Sequence, residues 1–225
     1  MLKIFGSAAC LFGALMMASP AQAQLGGLGM KMPGSGNSNN AAVDKDAVDK
    51  FVKKSYEATK YIYTAAIILN EAAKDHPNIA SQKEILKAIN DAPSIKDIDG
   101  QSVQLQSNVD ELAKNENASA NIQTYLKGAS AKEKGMIASA VFNFALYVPQ
   151  LVQLPGDGSK MIQSIASNPM LLAKAKEIKI AVKLLGLQAK SAGVFMKLMP
   201  TLIKAAKIEQ PKVGDAAVGK SISAD

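Results

Sequence analysis

The sequence predicts an all-α protein: an irregular bundle of five to seven helices that ends in a long C-terminal helix. Three observations predict it. Lysine recurs every seventh residue at Lys176, Lys183, Lys190, Lys197 and Lys204, with six uncharged residues filling each of the last three intervals. Apolar residues recur at steps of three, four or seven through Val48, Phe51, Ala58, Ile62, Ala65, Leu69 and Ala72. No run of alternating apolar and polar residues, the mark of a half-buried strand, persists along the chain.

The lysine segment carries most of the information. Seven residues are nearly two helical turns, so the five lysines line one face of a helix from about residue 169 to 208. At about 1.5 Å per residue the row spans roughly 40 Å. When each heptad is counted from its lysine, the third and seventh columns hold Ile178, Val182, Leu185, Ala189, Ala192, Met196, Met199 and Ile203. All are apolar, and they form the expected packing seam. The fifth column is largely apolar as well, with Ile180, Leu187, Val194 and Ile208. Asn168 and Pro169 supply an N-cap and a first-position proline, and Gln210-Pro211 closes the helix. Pro200 removes one i→i−4 hydrogen bond and is expected to kink it. A helix apolar on two sides with a narrow charged strip lies deep in a bundle or on a membrane. The row reads first as the wet edge of a mostly buried helix, and second as a docking strip for an anionic surface.

The other elements follow in chain order. A first long helix is expected from about Ala42 to Asp75, stopped by Pro77. Its Tyr56, Tyr61 and Tyr63 read as semi-exposed packing rather than as an aromatic ligand wall. Ser81-x-x-Glu84 is a capping-box pattern that opens a short helix through Ile85, Leu86 and Ile89, ended by Pro93. Two more short helices are expected at Val103–Ala113 and Ala118–Lys127, with a break near Gly128. Ser130-x-x-Glu133 is a second capping box, and it opens a stretch of 22 uncharged residues between Lys134 and Asp157. That length suffices to span a bilayer. However, Ser139, Asn143, Gln150, Gln153 and Pro149 interrupt it, and polar groups at such depth are costly. A buried central helix broken at Pro149 is expected, and no integral membrane span. Pro155-Gly156-Asp157-Gly158 is a strong turn signal, followed by a short helix from Ser159 to Ala166.

Residues 1–23 read as a secretory signal peptide. Lys3 gives the positive start, Cys10 to Ala18 the apolar stretch, and Ala21-Gln22-Ala23 the small-residue cleavage site before Gln24. Ser7 stands where a lipid-attachment motif has leucine, so Cys10 is not read as a lipid carrier. Residues 24–41, rich in Gly, Ser and Asn, read as a flexible tether. A single helical domain is expected over 42–209, and a loose tail over 210–225. Beyond the leader about 200 residues contain no cysteine, so the apolar core must hold this fold unaided. The expected location is periplasmic, with secretion as the alternative.

Composition then excludes several chemistries. Every cationic side chain apart from His76 is lysine, and there is neither arginine nor tryptophan. Arginine is the residue suited to bidentate phosphate capture and base stacking, so nucleic acid is not an expected partner. The net charge of +7 is uneven: residues 44–157 carry 13 lysines against 15 acids, whereas 160–220 carry 11 against 3. The basic surplus of the C-terminal third points to an anionic surface or an acidic partner. His76, the only histidine, precedes Pro77 at a helix end. With one histidine and no cysteine beyond the leader, a His/Cys zinc site is excluded. Asp97-x-Asp99-Gly100 would align Ile95 and Gln106 with the first and last ligand places of a calcium loop, so that match fails. Gly156-Asp157-Gly158-Ser159-Lys160 lacks the spacing of a phosphate loop, and Asp110/Glu111 read as a solvated face.

No catalytic residue, metal or cofactor is therefore expected. The function expected is that of a non-enzymatic exported envelope protein. It would bind an apolar ligand or an anionic membrane surface through Lys176, Lys183, Lys190, Lys197 and Lys204. The alternative is a protein-interaction module, an adaptor or subunit of an envelope or secretion assembly. That module would use the apolar columns of the same helix, with Gly186 and Gly193 admitting a neighbouring helix.

Overall fold

A computed structural model describes residues 44–165, 169–209, 211 and 218–223. The expected leader, tether, Asn168 cap and Gln210 lie outside the described residues. In chain order the α-helices are α1 (Lys45–Ala72), α2 (Lys83–Asp91), α3 (Ile95–Asp99), α4 (Ser102–Lys114), α5 (Ala118–Gly128), α6 (Ala131–Tyr147), α7 (Gln150–Ile165) and α8 (Ala175–Ala206). Turns of 3₁₀ helix at Ile79–Gln82 and Pro169–Lys174 precede α2 and α8. The described residues are thus all-α, with eight helices rather than five to seven. The added element is α3, a single short helix where the sequence reading placed none.

Helix α1 is the centre of the bundle. Asp44 caps its start, with Oδ1 accepting from the Ala47 N–H at 2.7 Å. All seven residues of its apolar repeat, from Val48 to Ala72, are buried. From Ile62 onward every residue to Ala72 is buried, whichever side it faces. Helices α4, α6 and α8 enclose that half, and each large apolar side chain so buried contributes about 1.5–3 kcal/mol. Where α1 ends, Glu71 gathers three donors: the Asn78 amide at 2.9 Å, Lys74 at 2.6 Å and Gln82 at 3.1 Å.

The seam of α8 differs from the one read in the sequence. Ile178, Ala181, Leu185, Gln188, Ala192, Phe195, Met199 and Leu202 are buried, which are the third and sixth columns of the heptad. In the seventh column Val182, Ala189 and Ile203 are half-buried and Met196 is exposed. Gln188 hid the true column by placing an amide among apolar residues. Two turns on in the same column, Phe195 meets Phe144 of α6 with ring centroids 4.7 Å apart. The helix runs on through Pro200, which is exposed.

Three further expectations change. Pro155-Gly156-Asp157-Gly158 does not turn, because α7 continues through it. Gly158 lies so close to Phe51 and Val182 that only a residue without Cβ fits, so helix packing overrides turn propensity there. The Ser81 capping box does not form; Asn78 caps the 3₁₀ turn instead, its side chain accepting from the Ser81 amide at 3.3 Å. The Ser130 box does form, with Ser130 and Glu133 exchanging both bonds at 3.3 and 2.8 Å. Finally, residues 218–223, assigned to a loose tail, are held. The Asn143 side chain accepts from Lys220 N at 2.7 Å and donates to its carbonyl at 2.8 Å. Asn90 donates to the Ile222 carbonyl at 2.8 Å, the Ile222 side chain is buried, and Gly219 lies flat against the Tyr61 ring.

The uncharged stretch became two helices. Among the described residues no single helix is long and apolar enough to cross a membrane, while α6 and the following Gln150–Gln163 pass together but bend by 47° at Pro149. Within α6, Ile137, Ala140, Val141 and Phe144 are buried in the core against α1 and α8.

Candidate functional site

The outer face of α8 carries the lysine row. Lys176, Lys183, Lys190, Lys197 and Lys204 are all exposed, because the third and sixth columns, on the far side of the helix, take the core. The same face shows Gly186 and Gly193, with open space where a Cβ would stand. Val194 and Met196, 39% and 44% exposed, flank it on opposite sides. The structure therefore brings the five residues to one face, as the heptad requires, together with exposed apolar groups.

The row is graded in its partners. Lys183 pairs with Asp99 of α3 at 2.7 Å. Lys176, Lys190, Lys197 and Lys204 have no carboxylate within 4 Å among the described residues. Near the start of α8 the pairing instead falls to Lys174, off the row, which reaches Asp49 of α1 at 3.1 Å and Glu177 at 3.2 Å. Lys96 of α3 reaches Glu177 at 2.8 Å. The Lys96 bond holds the Glu177 carboxyl below its usual range against the opposing effect of burial, and Lys174 adds to it. Lys45 and then Lys174 lower Asp49, and Asp49 and Glu177 in turn raise Lys174. This cluster ties α1, α3 and α8 together. Heptad spacing carries no signal for it, since its members lie far apart in sequence.

Two open grooves flank α8. One, of about 530 Å³, lies against α4, where Lys183 and Leu187 face Val103, Asp110 and Glu111. Its carboxylates have internal partners: Gln106 donates to Asp110 at 2.8 Å, and Asn70 and Ser107 donate to Glu111 at 2.9 and 2.8 Å. The other, of about 960 Å³, opens at the far end of the row, and Lys204 alone of the five lines it.

The three tyrosines of α1 part company. Tyr56 donates to the Ala92 carbonyl at 2.6 Å, Tyr61 stacks on Tyr147 at 5.3 Å, and Tyr63 is fully buried. They form no common wall. Burial pushes the Tyr63 phenol up to about 12, and its hydroxyl meets Gln106 Oε1 at 3.5 Å. Among the described residues no three His, Cys, Asp or Glu side chains converge as a metal site. His76 lies exposed beyond the end of α1.

No protein-family model, curated protein or solved structure matches the chain. Its function is read from the chemistry of its own surface.

Proposed function

We propose that the protein is a non-enzymatic component of the bacterial cell envelope that docks on an anionic membrane surface through the outer face of α8. One observation carries this reading. Lys190, Lys197 and Lys204, exposed and without an acidic partner among the described residues, form a face flanked on one side by the exposed Val194 and on the other by the exposed Met196. A face of that composition sits at a lipid interface with its apolar groups inward and its ammonium heads in the headgroup layer. Each lysine near an anionic surface adds about 1 kcal/mol of attraction. Both described grooves are open to solvent and the third and sixth columns are packed into the core, which supports a surface over an enclosed apolar ligand. The signal-like leader, Lys3 through Ala23, supports the envelope and the periplasm as its place.

The test is co-sedimentation of the protein with phosphatidylglycerol-containing vesicles. Binding at low salt that is lost at high salt is expected. Protein that stays in the supernatant at low salt rejects the reading.

A second reading is favoured by the glycines. Gly186 and Gly193 leave open space on the outer face, so the helix of a partner protein in an envelope assembly would approach α8 closely there. Cross-linking in cells distinguishes the two, since this reading requires a partner linked through α8.

A further inference from the structure

We infer that the groove at the C-terminal end of α8 seats the phosphate headgroup of a single anionic phospholipid, anchoring that end of the lysine row. This rests on the docking reading above and names its ligand.

Three helices supply the cations of the groove: Lys127 from α5, Lys134 from α6, and Lys204 and Lys207 from the end of α8. No carboxylate lines it, and none of the four pairs with an acid among the described residues. Four like charges facing one space repel each other, and the described residues that line it provide no counter-charge. Its volume of about 960 Å³ is that of a site for a small organic ligand.

Helix dipoles account for part of this cluster. Lys127 and Lys204 sit in the last turns of α5 and α8, where a cation is favoured. They do not account for Lys134, near the N-terminal end of α6, where the dipole opposes a cation.

Lys207 is the sharper sign. It is the only described residue other than glycine with a positive φ, at 53°. Its amide closes α8 onto the carbonyls of Ile203 and Lys204. That position favours glycine, which takes the left-handed conformation without steric cost. A charged residue held there, on the rim of an uncompensated basic groove, points to a ligand. Lysine heads suit a phosphate as point charges. Leu126 and Pro200 in the same lining suit the glycerol and first methylenes of a lipid. Lys204 belongs to both the row and the groove, which makes the site continuous with the proposed membrane face.

The experiment compares two triple variants of equal charge loss in the full chain. One is Lys127→Gln/Lys134→Gln/Lys207→Gly, and the other is Lys176→Gln/Lys190→Gln/Lys197→Gln. Vesicles of phosphatidylglycerol and phosphatidylcholine are titrated at low salt. A diffuse field weakens both variants equally, whereas a seated headgroup makes the groove variant lose about tenfold more affinity than the row variant. Lys207→Gly alone should bind more weakly while melting no lower than the parent, so its loss is not unfolding. Equal losses in the two triples overturn this inference and leave the docking reading standing. A parent chain that ignores these vesicles overturns both. Release of the vesicle-bound parent by millimolar inorganic phosphate, beyond that of chloride at matched ionic strength, is expected of a headgroup seat; phosphate that binds the parent in solution without reducing its vesicle binding assigns the groove to free phosphate and overturns the lipid.

Discussion

A Cβ on Gly158 would stand 2.3 Å from Val182 Cγ2 and 2.7 Å from Phe51 Cζ, whereas one on Gly186 would meet nothing within 4 Å. Both glycines are helical, so alanine gains helix propensity at either, by about 0.5–1 kcal/mol. At Gly158 the overpacking cost of about 1–3 kcal/mol outweighs that gain. Gly158→Ala is expected to lower the melting temperature and Gly186→Ala to raise it; the reverse order would refute the packing of α7 on α1 and α8. Gln188 provides a second test. It is fully buried; it lies close enough to the Tyr63 hydroxyl to oppose the upward shift of that phenol, yet no hydrogen bond of good geometry satisfies its amide nitrogen or oxygen among the described groups. Replacing it with Met keeps the volume and removes the unsatisfied amide, so Gln188→Met should stabilise by about 1–3 kcal/mol in denaturant unfolding. A destabilised variant would mean that the amide has partners after all.

At the scale of elements, the ion-pair cluster at the start of α8 gives the fold a pH dependence. Asp49 and Glu177 are held below their usual range in the folded chain. Their contribution is complete above the unfolded values, near pH 4, and disappears as pH falls through the folded values. Unfolding midpoints followed from about pH 6 to pH 3 should therefore fall, and Glu177→Gln should flatten that fall. An unchanged acid slope in Glu177→Gln would show that the pairs are worth nothing. The same elements show what was legible in the sequence. The repeat from Val48 to Ala72 was, because a helix buried along one face must repeat at three and four. The Ser130 cap was legible because both of its partners are local. Half of the α8 seam was misplaced by one column, since Gln188 breaks the apolar pattern that marks it. The Pro155–Gly158 stretch misled because turn propensity yields to the contact of Gly158 with two distant helices. An extended segment such as 218–223 has no periodicity to read, and its anchors Asn90 and Asn143 lie on α2 and α6.

For the molecule as a whole, the uneven charge of the sequence becomes a polarity of surface. The lysine surplus after residue 160 is largely carried by α8, whose inner face is core and whose outer face is lysine, glycine and exposed apolar groups. The row itself was legible because seven residues return to one face. The basic groove was not, because Lys127 and Lys134 join Lys204 and Lys207 only after the chain has folded back over about 70 residues. Both the wet-edge and docking readings of the row require it to be exposed, so exposure alone does not separate them; contact with lipid does. The chain contains no tryptophan, so a single introduced indole reports on its own position. Met196→Trp places one on the flank of the lysine row of α8, and Val218→Trp places a control beside Gly219 and Tyr61, where Val218 is 70% exposed. Emission is measured with phosphatidylglycerol vesicles at low and high salt. Docking through α8 predicts a blue shift at position 196 that high salt reverses, with no shift at position 218. No shift at 196, or an equal shift at both positions, would contradict it.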